Sequence, residues 1–148
     1  MGYVIVVNGR VQLNEIGTPL HPLWNMSFLD GIAEDYVSTN ALLTEAKKRG
    51  YFFENVKAMS DFARKGNVAV LEILDNFGRN LGKCVEIKRK EDKFDQIVIG
   101  GQISLSFDLM RDGFESETDI KYEFVKNPSK CALYGLKSYS EKEVLVKG

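Results

Sequence analysis

The 148-residue sequence has little of what would mark several classes of protein. Its 20 basic and 21 acidic residues leave a formal net charge of −1, so we expect no direct contact with nucleic acid or an anionic membrane. No apolar run approaches membrane-spanning length. The two cysteines, Cys84 and Cys131, lie far apart. Because Cys84 falls on the apolar face of a predicted helix, we expect a buried free thiol there rather than a disulfide or a metal ligand.

The composition is that of an ordinary globular domain, with 44% apolar and 28% charged residues. The length suits one domain with a real core, so we expect a single domain over residues 1–148. The apolar run at residues 3–7 is too short for a signal peptide, and no basic segment precedes it. We therefore expect a cytoplasmic protein.

One stretch organises the rest of the chain. Residues 97–99 are all apolar and β-branched, which predicts a short strand covered on both faces. Gly100 and Gly101 then allow a sharp turn, and a helix is expected from Gln102 to Arg111. The N–H groups of that helix would point at the mouth of the strand, where ligands bind in open α/β sheets. The alternative is an ordinary strand–turn–helix without a ligand.

The remaining elements follow from local patterns. Asn8-Gly9 predicts a type I′ hairpin between strands at 3–7 and 10–13, and residues 14–28 form an irregular loop. Helices are expected from Asp30, from Thr39 or Asn40 to Lys48, over 54–65, from the Asn67 cap onward, and over 129–139. The charged run at 88–93 is interpreted as a solvated helix end, and residues 119–125 as a half-buried strand. This order predicts an α/β fold with a mixed sheet of about four strands and flanking helices.

Several of these segments carry a family resemblance. Together and in order, they resemble the C-terminal lobe of the ROK family, the bacterial repressors and sugar kinases of the actin/hexokinase-like superfamily. Residues 2–10 resemble the family's strand–turn–strand, and Glu15-Ile16-Gly17 with residues 31–38 resemble its Glu-x-Gly-His and Gly-Cys-x-Glu-x-x-x-Ser segments. Residues 97–104 and Ala132-Leu133-Tyr134-Gly135 resemble its Gly-rich strand-turn and closing helix. The resemblance covers essentially the whole chain and about half of a full-length member, and implies the C-terminal lobe of an actin-like ATPase (ribonuclease H-like) fold.

The resemblance also implies binding residues. Glu15 and Glu34 take the positions of sugar-binding carboxylates, and Gly100, Gly101 and Gln102 those of a nucleotide half-site for ATP with Mg²⁺. A carboxylate accepts hydrogen bonds from sugar hydroxyls without needing a perturbed pKa. The alternative for Glu15 is an exposed loop charge, and for Glu34 a charge on a helix surface.

The departures from the family pattern concern metal. Thr18 stands where the family has its histidine, and Ile32 stands where it has a cysteine that binds a structural zinc. Zinc needs thiolates or imidazoles in a tetrahedral set, so we expect no zinc and no other metal site. His21 could take over the role of the missing histidine, but we favour a loop histidine near Trp24.

The catalytic aspartate and first phosphate loop of the family belong to its N-terminal lobe and would precede residue 1, so no catalytic residue is named here. We expect a truncated sugar-kinase lobe that is inactive alone, because phosphoryl transfer depends on positioning both substrates. The alternatives are a non-catalytic ligand-binding or dimerisation module of a ROK-type regulator, and a subunit that completes a kinase with a separate N-terminal-lobe chain. We also expect a homo-oligomer, formed through the hairpin edge or the helices of residues 54–90.

Overall fold

The computed structural model describes residues 2–126 of the chain. The predicted helix at 129–139, with Cys131 and the Ala132-Leu133-Tyr134-Gly135 motif, lies outside the described residues. The strands are β1 (Val6–Val7), β2 (Arg10–Val11), β3 (Ser27–Phe28), β4 (Gly31–Ile32), β5 (Gln96–Ile99) and β6 (Lys121–Phe124). The α-helices are α1 (Thr39–Lys48), α2 (Val56–Ala63), α3 (Val68–Asp92) and α4 (Arg111–Glu115), and two 3-10 helices cover Ala33–Asp35 and Gln102–Leu109. The mixed α/β class is confirmed, and none of the helices within residues 2–126 is long and apolar enough to cross a bilayer.

The strands pair two by two. β1 with β2 and β3 with β4 form antiparallel hairpins, and β5 with β6 forms a parallel pair in which Ile97 lies opposite Tyr122. Within the described range these are three separate two-stranded sheets, so the mixed sheet of about four strands is not found there. Period-two alternation identifies a strand but carries no information on which strand lies beside it.

The first hairpin turns as predicted. Asn8 and Gly9 have φ angles of 51° and 75°, and a type I′ turn requires positive φ at both central positions. The hydrogen bonding between β1 and β2 continues one residue further, because the Gln12 N–H donates to the Ile5 carbonyl at 2.8 Å.

The helix predicted from Asp30 is wrong. Residues 27–32 form the β3–β4 hairpin instead, with Leu29 at a φ of 52° in the turn, and only the short 3-10 helix Ala33–Asp35 follows. Ile32 is extended at φ −122° and ψ 161°, and its N–H donates to the Asp35 carboxylate at 3.0 Å. This bond from the N-cap N–H to the side chain three residues later is half of a capping box, so Ile32 is the N-cap and helical backbone begins only at Ala33. The apolar spacing of this segment still indicates which residues are buried, because Ala33 and Val37 lie in the core.

The three middle helices form close to their predicted places. Ser38, rather than Thr39 or Asn40, caps α1 by accepting a hydrogen bond from the Ala41 N–H at 3.0 Å. Asn67 caps α3 as predicted, accepting from the Val70 N–H at 3.0 Å.

The end of α3 corrects the interpretation of the charged run. The helix continues to Asp92 and stops at Lys93, which has a φ of 53°. Lys88 is only 5% exposed, so this part of the run is an inner helix face and not a solvated end.

Two apolar clusters share α3. The larger joins α1, α2 and the stretch of α3 from Val70 to Cys84 to Leu23 and Phe28. The smaller joins Val85 to Phe107, Phe114 and Ile120. Cys84 is fully buried and free, as predicted, and burial raises the pKa of its thiol to about 12.

The strand at 97–99 departs from its prediction in its burial. Ile97 and Ile99 pack against the smaller cluster, whereas Val98 on the other face is 66% exposed. The strand is therefore covered on one face only within the described structure. The segment after it begins at Gln102 as predicted, but as a 3-10 helix that precedes α4.

Candidate functional site

A cleft of about 620 Å³ opens where β5 ends. The N-terminal residues Gly2 and Tyr3 form one side, the segment from Glu34 to Asn40 a second, and residues 97–103 a third. Its inner wall comes from α3 and the segment that follows it, with the apolar side chains of Phe77, Leu81, Val85 and Phe94. The volume and the mostly apolar lining are typical of sites for small molecules.

The glycine turn forms the rim of this cleft. Gly101 has φ 86° and ψ 170°, a conformation available essentially to glycine alone. Its carbonyl accepts hydrogen bonds from the N–H and the hydroxyl of Ser104, at 3.2 and 2.7 Å, which holds the turn onto the following helix. A β-carbon at Gly101 would meet nothing within 4 Å, so the backbone on this side lies open to a ligand.

Glu34 belongs to the same cleft. It is half-buried in the 3-10 helix after β4, and its backbone N–H donates to the Trp24 carbonyl at 3.0 Å. The structure thus places Glu34 on one cleft with Gly100, Gly101 and Gln102, although a long stretch of chain separates them.

The structure places Glu15 elsewhere. It lies exposed in a turn over residues 14–18, outside the lining of the cleft. The Asn14 side chain closes that turn by accepting from the N–H groups of Ile16 and Thr18, at 3.2 and 2.9 Å. This local closure turns the segment back on itself, and Glu15 and Glu34 do not share the cleft.

Sequence reasoning missed the lower end of the cleft, around the last turns of α3. Lys88 lies 5.6 Å from the centre of the Tyr3 ring and pairs with Glu91 at 2.8 Å. The Tyr3 hydroxyl donates to Asp92 at 2.7 Å, and burial together with this bond raises the pKa of Tyr3. Helical periodicity could have revealed this, because Cys84, Lys88 and Asp92 are each four residues apart and therefore lie on the same buried face of α3.

His21 is part of the same group. Its Nδ1 lies 2.6 Å from Asp92, whose side chain is only 2% exposed. The histidine therefore anchors the 14–28 loop to α3, a contact across 71 positions of sequence that no local pattern could reveal. Within residues 2–126 no three histidine, cysteine or acidic side chains are grouped so as to hold a metal ion.

No family model matches this sequence, and no curated protein matches it. Solved structures do match its fold. A ROK family protein from Streptococcus pneumoniae, in complex with sucrose, superposes with a TM-score of 0.80 at 18% identity over 97% of this chain and 56% of that one. The chain has the fold of a ROK C-terminal lobe.

Two further structures share this ROK fold. A ROK family glucokinase from Streptomyces griseus, in complex with glucose and AMPPNP, has a TM-score of 0.74 at 15% identity over 87% of this chain and 53% of that one. A ROK family transcriptional regulator, a homologue of the Escherichia coli MLC protein, has a TM-score of 0.70 at 18% identity over 84% and 38%. The chain therefore spans between 38% and 56% of the length of these ROK proteins.

Proposed function

We propose that this chain is the C-terminal lobe of a ROK-type sugar kinase and supplies its binding groups for nucleotide and sugar. One observation carries the proposal: Glu34 and the turn Gly100-Gly101-Gln102, which the resemblance names independently, border one cleft of about 620 Å³. The similar glucokinase from Streptomyces griseus was solved with glucose and AMPPNP, which supports this pair of ligands.

The lining suits a nucleotide at the glycine turn. Backbone N–H groups at the start of a helix and an unhindered glycine favour a phosphate group, and Mg²⁺ would arrive with the ATP phosphates. Leu81 and Val85 offer an apolar wall to a base. Glu34, across the cleft, offers a carboxylate to sugar hydroxyls.

The proposal assigns binding, and not complete catalysis, to this chain. Phosphoryl transfer needs a general base and a second set of phosphate contacts, and none of the residues named here takes those roles. We therefore expect no sugar-dependent release of ADP from ATP by the chain alone, and activity only when another lobe supplies those groups, in the same polypeptide or in a separate one.

Nucleotide binding can be tested with a matched pair of glycines. Gly101 and Gly66 both have positive φ, 86° and 91°, and open space where a β-carbon would stand, but only Gly101 borders the cleft. Both Gly101→Ala and Gly66→Ala lose some stability, because a β-carbon disfavours positive φ. We expect only Gly101→Ala to weaken Mg–AMPPNP binding, by at least tenfold in calorimetry. Wild-type protein that fails to bind Mg–AMPPNP, or equal binding by the two variants, would contradict the proposal.

The similarity to a transcriptional regulator favours a second candidate, a non-catalytic ligand-binding or dimerisation module. The exposed apolar hairpin, with Val4, Val6 and Val7 each at least half exposed, supports association into a homo-oligomer in either case. A regulator-type module would bind glucose without binding Mg–AMPPNP. Light scattering during size exclusion measures the association, and a mass near 16.7 kDa at all micromolar concentrations would exclude it.

A further inference from the structure

A second cleft, of about 500 Å³, lies between α1 and α3. Its floor is apolar, formed by Leu42, Ile73 and Phe77, which are buried in the larger core cluster. The floor is therefore rigid, and the volume is large enough for a small ligand such as a single sugar ring.

The walls of this cleft carry neutral polar side chains from both helices. Asn40 and Thr44 are four residues apart on α1, and Asn76 and Asn80 are four residues apart on α3. Side chains with this spacing share one helix face, so each helix presents a polar pair to the cleft. None of the four makes a side-chain hydrogen bond to another residue in the range 2–126.

The charged residues at the far end of the cleft are already paired. Arg49 bonds to Glu45 at 3.2 Å and to Glu72 at 3.4 Å, and Lys48 lies 3.8 Å from Glu45. These acidic partners neutralise both cations, so the cleft has no unpaired positive charge to attract a phosphate group. A neutral ligand fits this balance better than an anionic one.

We propose that the α1–α3 cleft binds a neutral cyclic polyol, a monosaccharide or an inositol, through Thr44, Asn76 and Asn80. An amide both donates and accepts hydrogen bonds, as does a hydroxyl, and ring C–H groups would lie on the apolar floor. The site is additional to the nucleotide and sugar cleft of the proposed function. The two clefts share Glu34, Ser38, Asn40 and Phe77, whereas Thr44, Asn76 and Asn80 do not line the nucleotide and sugar cleft.

The test is an NMR titration of the full ¹⁵N-labelled chain with myo-inositol and D-glucose, and with glucose 6-phosphate as the anionic comparison. We expect the neutral compounds to shift the signals of Thr44, Asn76 and Asn80 at millimolar concentrations, and the phosphate to bind no better. The double variant Asn76→Ala with Asn80→Ala should weaken binding at least tenfold, while Asn25→Ala, an exposed amide outside the cleft, should not change it. Alanine favours a helix more than asparagine does, so the double variant should remain folded.

Three results would overturn this proposal: no shift with either neutral compound, shifts confined to Glu34 and residues 100–103, or unchanged binding by the double variant. Stronger binding of glucose 6-phosphate would also overturn it, because it would show an anion site. The proposed function is judged separately, by Mg–AMPPNP and the Gly101→Ala variant, so either idea can fail while the other stands.

Discussion

The crossing of α3 and α4 depends on two glycines that let the helix backbones touch. A β-carbon at Gly78 would lie 2.0 Å from the Met110 carbonyl oxygen, and one at Gly113 would lie 2.0 Å from the Asp75 carbonyl oxygen. The Met110 carbonyl cannot retreat freely, because it accepts the Phe114 N–H at 3.0 Å in the first turn of α4. Alanine at either glycine therefore requires the helices to separate by about 1 Å.

The magnitude for Gly78→Ala follows from opposing contributions. Overpacking costs about 1–3 kcal/mol and a disturbed hydrogen bond about 1 kcal/mol, whereas alanine gains about 0.9 kcal/mol over glycine inside a helix. We expect a net loss of about 1–3 kcal/mol in the free energy of unfolding. For a chain of this size that lowers Tm by roughly 2–12 °C.

Urea unfolding followed by circular dichroism measures this loss, with Asn76→Ala, an exposed substitution on the same helix, as the control. The control should lose no stability, because alanine favours a helix more than asparagine does. Combining Gly78→Ala with Gly113→Ala should cost less than the sum of the two, because one separation of the helices relieves both contacts. If Gly78→Ala instead stabilises the protein, the close approach of the two helices is absent and the reasoning fails.

Three further predictions concern other contacts. Cys84, fully buried and with its thiol pKa raised to about 12, should react with a thiol reagent only at the rate of global unfolding, and fast labelling of native protein would contradict this. Asp92→Ala should cost about 2 kcal/mol in urea unfolding, because the Tyr3 hydroxyl loses its charged acceptor; an unchanged midpoint would show that the bond contributes nothing. The contact with Arg89 lowers the pKa of Asp119, so it stabilises the fold above the unfolded pKa near 4 and stops doing so as the pH falls through the lower folded value. Arg89→Met should therefore flatten the loss of stability below about pH 4, as measured by unfolding at each pH, and an unaltered acid profile would refute that.

The elements that were predicted correctly from the sequence are those that depend on residues adjacent in the chain. The dipeptide Asn8-Gly9 almost specifies the type I′ turn by itself. Asn67 and the apolar residues spaced along the helix after it almost specify where α3 begins and which of its faces is buried. The helix predicted from Asp30 failed because the apolar spacing of residues 30–37 suits a helix, whereas residues 27–32 pair as a hairpin and helical backbone begins only after the N-cap Ile32.

In the candidate site too, local sequence predicts one part and tertiary packing determines the rest. The glycine turn at Gly100-Gly101 could be predicted, since a β-branched strand, two glycines and a helix follow one another directly. Its position beside Glu34 depends on the packing of the segment before α1 against α3, which no local pattern contains. His21 beside Asp92 is of the same kind, because it joins a loop to a helix end far along the chain.

The charged run at residues 88–93 can be interpreted as a solvated helix end or as partly an inner face of α3. Substitutions at Lys88 distinguish these two interpretations. Lys88 is 5% exposed, with its stem in the core face of α3, its ammonium 2.8 Å from Glu91 and the Tyr3 ring beneath it. If the run were a solvated helix end, Lys88→Met and Lys88→Ala would both stay within about 0.5 kcal/mol of wild type.

In the observed packing, methionine retains most of the buried lysine stem and removes the need to hold a charge there, so Lys88→Met should change the free energy of unfolding by less than about 1 kcal/mol. Alanine removes the stem and leaves a cavity beside Tyr3, so Lys88→Ala should cost about 2 kcal/mol or more. Lys90→Ala, two positions further and exposed, serves as the control. Urea unfolding of the three variants decides the matter, and equal midpoints for Lys88→Met and Lys88→Ala would mean that the stem of Lys88 contributes no packing.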